Sequence, residues 1–167
     1  MEERRDLKRD LLRAIAGCLL LSGSLATHPG QDDSPYVVYD TKGKYADVLE
    51  ELTQAVINRG LVVGTTSHVQ EMLERTGKDL GRTKHVYENG EVLQFCSAVL
   101  SRKATEADPR NIISCPYGIA VWTEPGKPDR VFVGYRRTDP RSPRGSMAAL
   151  KEVEKLLDEI AREATGH

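Results

Sequence analysis

The stretch LQFCSAVLSRKATEADPRNIISCPYGIAVW, residues 93–122, holds two of the three cysteines of this 167-residue chain. The first, Cys96, ends a β-favouring run, after which the chain leaves into a short predicted helix over residues 98–107. The second, Cys115, opens an apolar run over residues 115–122 that alternates like a strand. The two cysteines therefore bracket one short excursion. Four interpretations are open: a structural disulfide, a reactive redox pair, a metal site shared with a distant histidine, or two ordinary buried thiols.

Strands and helices alternate on both sides of this stretch. Hydrophobic periodicity and the turn-forming residues indicate five strands and four helices. The predicted strands cover residues 36–41, 61–67, 91–96, 115–122 and 130–137. The predicted helices cover residues 44–60, 68–76, 98–107 and 146–164. Strands dominate the middle and long helices lie near both ends, which favours an α+β fold with helices on one face of a mostly antiparallel sheet.

Local signals set several boundaries. Ser67 and Gln70 form an S-x-x-Q capping box for the second helix. The Asn-Gly pair at residues 89–90 predicts a hairpin turn, with one loop and a single following strand as the alternative. Residues 123–129 are turn-rich and separate the last two strands. The final helix carries one apolar stripe that we expect to cover the sheet: Met147, Leu150, Val153, Leu157, Ile160 and Ala164.

The N-terminus has the pattern of a secretory signal. Residues 1–13 are charged throughout and residues 14–26 carry no charge. Ser24 and Ala26 place small residues at the positions that a signal peptidase reads. An uncharged run of this length is shorter than the ~20 residues needed to cross a bilayer, so we expect no stable membrane span. The predicted organisation is a signal peptide, a polar linker and a single domain, at residues 1–26, 27–35 and 36–165.

Export would place the domain in the periplasm or outside the cell. Cleavage after Ala26 would remove Cys18 and leave two cysteines, for which an oxidising compartment makes a disulfide the default expectation. An amphipathic or buried helix over the same residues is the alternative. A lipid anchor on Cys18 is disfavoured, because most of the apolar run follows this cysteine instead of preceding it.

Composition and motifs exclude several classes of protein. The formal net charge is -1 and aromatic residues make up 5% of the chain, so no basic patch or stacking platform indicates nucleic acid as a partner. The chain has no phosphate loop, no Gly-x-Ser-x-Gly elbow and no Cys-x-x-Cys motif. His68 and His85 make no short metal spacing with a cysteine. We expect no cofactor and no metal, and the lack of a recognised catalytic constellation argues against an enzyme.

Four stretches of the chain resemble the bacterial domain-of-unknown-function family 302. They are RGLVV, LQFCSA, ADPRNIISCPYGIAVW and VFVGYRR, at residues 59–63, 93–98, 107–122 and 131–137. The chain departs from many relatives by having Ser97-Ala98 after the first cysteine where they have Asn-Pro. The resemblance implies a β-α-β(4)-α sheet of the TATA-binding-protein-like type and a homodimer. It implies no activity.

The family fold implies where the two cysteines lie. It makes the strands over residues 91–96 and 115–122 antiparallel neighbours, so that the end of one lies beside the start of the next. Cys96 and Cys115 would then meet at one edge, within the ~7 Å between Cα atoms that a disulfide allows. A parallel pairing would separate them by a strand length of ~15 Å.

Five further residues are candidates for ligand binding. Ser97, the predicted N-cap of the helix after Cys96, and Tyr117 flank the cysteines, whereas Tyr135, Arg136 and Arg137 end a strand that leads into a cation-rich segment. A solvated edge and loop is the alternative for the arginines. We predict an exported domain that binds a small ligand or a protein partner, with the cysteines as a structural pair. The alternative is a thiol-disulfide or sulfur-handling protein, because a helix N-terminus after Cys96 favours a thiolate.

Overall fold

The computed structural model describes residues 34–167. The predicted signal peptide over residues 1–26 and the linker up to residue 33 lie outside the described residues. The strands are β1 (Tyr36–Lys42), β2 (Val63–His68), β3 (Asn89–Phe95), β4 (Tyr117–Glu124) and β5 (Lys127–Arg136). The helices are α1 (Tyr45–Ile57), α2 (Val69–Asp79), α3 (Ala98–Ala107) and α4 (Arg144–Thr165), and a 3-10 helix covers Pro109–Ser114. Their order along the chain is the predicted one.

The strands form a single five-stranded sheet in the order β1-β5-β4-β3-β2. Each neighbouring pair is antiparallel. The topology is β-α-β(4)-α, with short helices inserted between the middle strands. This confirms the α+β fold class and the antiparallel sheet.

One face of the sheet carries the hydrophobic core. Every second residue of β4, from Tyr117 through Ile119 and Val121, is buried, as the period of a strand requires. α1 contributes Leu52 to this core. The predicted stripe of α4 is confirmed: Leu150, Val153, Leu157, Ile160 and Ala164 are buried, and Met147 is half-buried. Within residues 34–167, no helix has the length and apolar content needed to cross a bilayer.

The opposite face of the sheet is open over β1, β4 and β5. Tyr36 and Val38, which point to this face from β1, are 52% and 49% exposed. The alternate residues of β4, including Gly118 and Ala120, are half-buried. The sheet therefore has a face covered by α1 and α4 and a face that remains accessible, which we call the open face.

The predicted capping box at the start of the second helix is wrong. Ser67 lies within β2, which continues to His68, and His68 is the N-cap of α2 without a side-chain hydrogen bond to the helix. The strand continues because β2 remains paired with β3, where His68 lies opposite Glu91. Pairing with a neighbouring strand outweighed the local capping signal.

The predicted hairpin turn at residues 89–90 is also wrong, and the single strand is correct. Asn89 and Gly90 begin β3 and lie opposite Thr123 and Trp122 of β4. The Asn89 side chain donates to the Thr123 hydroxyl over 3.0 Å, which anchors the start of the strand. The true hairpin joins β4 to β5 through two residues only, the second of which is Gly126 with a φ of 79°.

Candidate functional site

The two cysteines meet at one edge of the sheet, as predicted. Cys96 follows the end of β3, Cys115 precedes β4, and the last paired residues of these strands are Phe95 and Tyr117. The cysteine Cα atoms are 6.3 Å apart and the sulfurs form a disulfide. The bond closes the excursion formed by α3 and the 3-10 helix.

Side-chain caps hold this excursion in place besides the disulfide. The Ser97 hydroxyl accepts a hydrogen bond from the Leu100 amide at 3.3 Å, which confirms Ser97 as the N-cap of α3. Asp108 ends α3 and caps the 3-10 helix by accepting from the Arg110 amide at 2.9 Å. The buried side-chain amide of Asn111 donates a hydrogen bond to the Ala104 carbonyl over 2.8 Å. These hydrogen bonds hold the segment between the two cysteines, and with it the positions of Cys96 and Cys115.

The disulfide is accessible to solvent. Cys96 is exposed and Cys115 is half-buried. The Ser101 hydroxyl lies 3.7 Å from the Cys115 sulfur and 2.9 Å from the Tyr117 hydroxyl. Burial raises the pKa of Tyr117, and the Ser101 hydrogen bond offsets part of that rise. A thiolate released at Cys115 would find a hydroxyl donor already in place, whereas Cys96 is open to an attacking group.

The two histidines singled out from the sequence are engaged elsewhere. His68 lies 3.4 Å from a Glu91 carboxylate oxygen, and His85 lies 2.6 Å from a Glu74 carboxylate oxygen. Within residues 34–167, no three side chains of the His, Cys, Asp and Glu types are grouped so that they could hold a metal ion.

Four of the five candidate ligand residues, Tyr117, Tyr135, Arg136 and Arg137, line one cavity, whereas Ser97 does not. Ser97 is a buried helix cap, and Tyr117 and Tyr135 belong to the buried core on the helix-covered face. Arg136 lies on the open face, since alternation along β5 points it away from Tyr135. Arg137 donates to the Ser34 carbonyl over 3.1 Å and lies 3.8 Å from Glu154. Their role in ligand binding stays a prediction, and Arg136 has the accessibility that such a role needs.

Tyr135 belongs to a polar cluster that joins the sheet to α4. The Tyr135 and Tyr39 hydroxyls both donate to one oxygen of Asp158, over 2.8 Å and 2.5 Å. Arg162 donates to the other oxygen over 2.8 Å. Partial burial raises the pKa of Asp158, but the hydrogen bonds from Tyr39, Arg162 and Tyr135 outweigh it and hold that pKa below the ordinary carboxyl value. This cluster ties β1, β5 and α4 together.

We expect Asp158→Asn to lower the free energy of unfolding by about 2 kcal/mol at pH 7, because two tyrosine hydroxyls and an arginine lose their carboxylate acceptor. A carboxyl group whose pKa is lower in the folded state stabilises the fold at pH values above its unfolded-state pKa. This stabilisation is lost as the pH falls through the folded-state pKa. The difference between wild type and variant should therefore shrink below about pH 4. Urea unfolding at pH 7, 5 and 3 measures it. The control is Glu159→Gln on the same helix, expected to change stability by less than about 0.5 kcal/mol; a difference that is independent of pH would contradict the account.

The open face contains a groove that the sequence did not reveal. Its floor consists of Gly118 and Ala120, which have little or no side chain, and Gly134 lies beside Ala120 on the next strand. A Cβ on Gly134 would lie 2.9 Å from the Val37 carbonyl oxygen, 3.2 Å from the Val38 side chain and 3.4 Å from the Trp122 ring, so Val38 and Trp122 already cover this position. A Cβ on Gly118 would meet nothing closer than 3.5 Å. The groove exists because Gly118 and Ala120 leave space beside Val38 and Trp122, which pack over Gly134 of the adjacent strand.

Aromatic and aliphatic side chains line the groove. Tyr36 and Val38 line it from β1, and Val92 lines it from β3. Trp122 also lines it and stacks on Phe132, with ring centroids 5.3 Å apart. Together with a recess that runs towards α4, the groove has a volume of about 930 Å³. This is large enough for a small organic molecule.

Comparison with known proteins supports the fold and the family. A family model described as "Domain of unknown function DUF302" matches residues 37–164. The crystal structure of an uncharacterized conserved protein DUF302 from Bacillus stearothermophilus is similar to this chain, with a TM-score of 0.64 and 15% sequence identity over 78% of this chain and 98% of that one. At this identity the likeness shows the fold alone. A search of the curated proteins finds no match. The family expected from the four quoted stretches is confirmed.

Proposed function

Since the chain belongs to the DUF302 family, whose function is unknown, we propose a function from the molecule's own surfaces: an exported domain that binds a small ligand in the groove of the open face. The disulfide between Cys96 and Cys115 serves this domain as a structural bond. The domain acts in the periplasm or outside the cell. If the homodimer that the resemblance implies forms through this face, a second copy would compete with the ligand.

The groove is the observation that carries this proposal. Apolar side chains such as Val38 and Trp122 meet water there, although burying them would stabilise the protein by about 25 cal/mol per Å². The floor is concave because Gly118 and Ala120 do not fill it. A concave apolar surface with a few polar groups at its rim is the usual form of a small-molecule site.

Two further observations support export and the structural role of the disulfide. A bonded cysteine pair fits an oxidising compartment, where such bonds persist. The disulfide also joins the ends of a segment that the helix caps at Ser97 and Asp108 already hold, so it reinforces an ordered part of the structure.

Filling the groove should abolish binding without unfolding the domain. We expect the neutral apolar dye N-phenylnaphthylamine to bind the wild-type protein and quench Trp122, the only tryptophan of the chain. Gly118→Leu should weaken this binding by at least about tenfold, because its side chain would occupy the floor while its Cβ fits. A fluorescence titration of the dye measures the effect.

The control for this titration is Val99→Leu, a change of similar chemistry on α3 at a side chain that is 77% exposed. It should leave the dye affinity unchanged. Urea unfolding of Gly118→Leu must show that the domain still folds. Equal dye affinity in wild type and Gly118→Leu, or no binding to either, would overturn the proposed function.

The exposure of Cys96 favours a second candidate function, thiol-disulfide exchange. A thiolate of a partner dithiol would attack the Cys96 sulfur, and Cys115 would leave as a thiolate that accepts a hydrogen bond from Ser101. The second thiol of the partner would then attack the mixed disulfide, leaving the partner oxidised and both cysteines reduced. In the reverse direction, a Cys115→Ser variant, whose Cys96 thiol is free, should trap a mixed disulfide with the disulfide form of a dithiol protein, and failure to do so would eliminate this candidate.

A further inference from the structure

We infer that the groove selects an amphipathic anion, with an apolar body on the floor and its anionic group on Arg136. This inference rests on the proposed function and adds the chemical class of the ligand. It is carried by the charges at the rim and by their distance from the apolar floor.

The other charges at the rim are already neutralised. Asp139 accepts a hydrogen bond from the Arg141 guanidinium over 2.8 Å, and this pairing lowers the pKa of Asp139 to about 2. Glu154 accepts a hydrogen bond from the Thr138 amide over 3.1 Å and also lies 3.8 Å from Arg137. Each of these carboxylates therefore already has a cationic partner.

Arg136 is different. It is exposed, it lines the groove, and among residues 34–167 no carboxylate lies within 4.0 Å of its guanidinium. It lies directly opposite Tyr36 on the neighbouring strand, and both residues face the open side of the sheet. A guanidinium with its donors unused suits a carboxylate, which it can bind through two parallel hydrogen bonds.

The sheet register sets the separation between this cation and the apolar end of the groove. Trp122 lies opposite Phe132, and Arg136 is four residues further along the same strand as Phe132. At about 3.3 Å per residue, the two ends of the groove are about 13 Å apart. Because the Trp122 ring reaches back over Gly134, only two residues from Arg136, the span between the cation and this ring is about 7 Å along the strand. A ligand with an anionic group at Arg136 thus has its apolar body over Gly118 and Ala120, against the Trp122 ring.

Phenylbutyrate and its neutral amide, phenylbutyramide, test this inference as a matched pair. Both titrations follow the fluorescence of Trp122. We expect the carboxylate to bind wild type about tenfold or more tightly than the amide. Arg136→Gln should remove this preference, whereas Arg136→Lys should retain part of it. Arg75→Gln, which removes the same charge at an exposed site on α2 outside the groove, should leave the preference unchanged.

The outcomes separate this inference from the proposed function. Equal affinities for the acid and the amide, or a preference that survives Arg136→Gln, overturn the inference while dye binding sustains the groove. Loss of dye binding in wild type overturns the proposed function itself. If Trp122 fluorescence changes with protein concentration and sedimentation shows a dimer that excludes both ligands, a second copy occupies the groove and the inference fails.

Discussion

Leu157→Ala is expected to lower the free energy of unfolding by about 2–5 kcal/mol. Leu157 is only 6% exposed and belongs to the core in which α4 meets the sheet. Truncation to alanine loses the burial of its apolar atoms and leaves a cavity that the strands beneath cannot fill. Urea unfolding of purified protein at neutral pH measures the change.

Leu80→Ala provides the matched control, since Leu80 is 66% exposed at the end of α2. We expect it to change stability by no more than about 0.5 kcal/mol. If Leu157→Ala cost as little as this control, α4 would not be docked on the sheet through the face described above.

Removal of the disulfide is expected to destabilise the fold by about 3 kcal/mol. Cys96 and Cys115 are 19 residues apart in the chain, and their bond limits the freedom of the unfolded state. The experiment compares Cys96→Ala/Cys115→Ala with the bonded protein, both with Cys18→Ser so that only one pairing is possible. Hydrogen exchange should show the largest loss of protection in α3 and the 3-10 helix.

The Ser97→Gly variant serves as the control for local effects, because it removes the cap of α3 and leaves the disulfide intact. It should cost a few tenths of a kcal/mol. A double cysteine variant as stable as the bonded protein would refute the structural role of the disulfide and favour the exchange reaction.

The parts of the fold that the sequence predicted depend on repeated or local patterns. Alternation in Tyr117, Ile119 and Val121 identified both the strand and its buried face. The α4 stripe follows from apolar residues at intervals of three and four. The Ser97 cap needs only the amide of a residue three positions further on. Each of these signals depends only on residues within a short segment, so pairing with distant parts of the chain does not override it.

The errors occurred where pairing with a distant strand competes with a local signal. Ser67 has the spacing of a helix cap, yet the ladder with β3 extends past it. Asn89-Gly90 has the composition of a hairpin turn, yet Thr123, 34 residues away, fixes it as a strand start. A local rule contains no information on which strand is adjacent.

The groove and the tyrosine-aspartate cluster could not be predicted for the same reason. Gly118 and Gly134 become neighbours only through the register of β4 and β5. Tyr39 and Asp158 are separated by 119 residues. The position of Arg136 on the open face could have been predicted, because alternation along β5 places it on the face opposite to that of Tyr135.

The most direct test of ligand binding in the groove is a map of amide chemical-shift changes in isotopically labelled protein titrated with N-phenylnaphthylamine. We expect the changes to concentrate in β4 and β5, at Gly118, Ala120, Trp122 and Gly134. Amides of α1 and α2, which contribute no residue to the lining of the groove, should be unaffected. Changes centred on the helix layer or on the disulfide loop, with the residues of the groove floor unmoved, would contradict it.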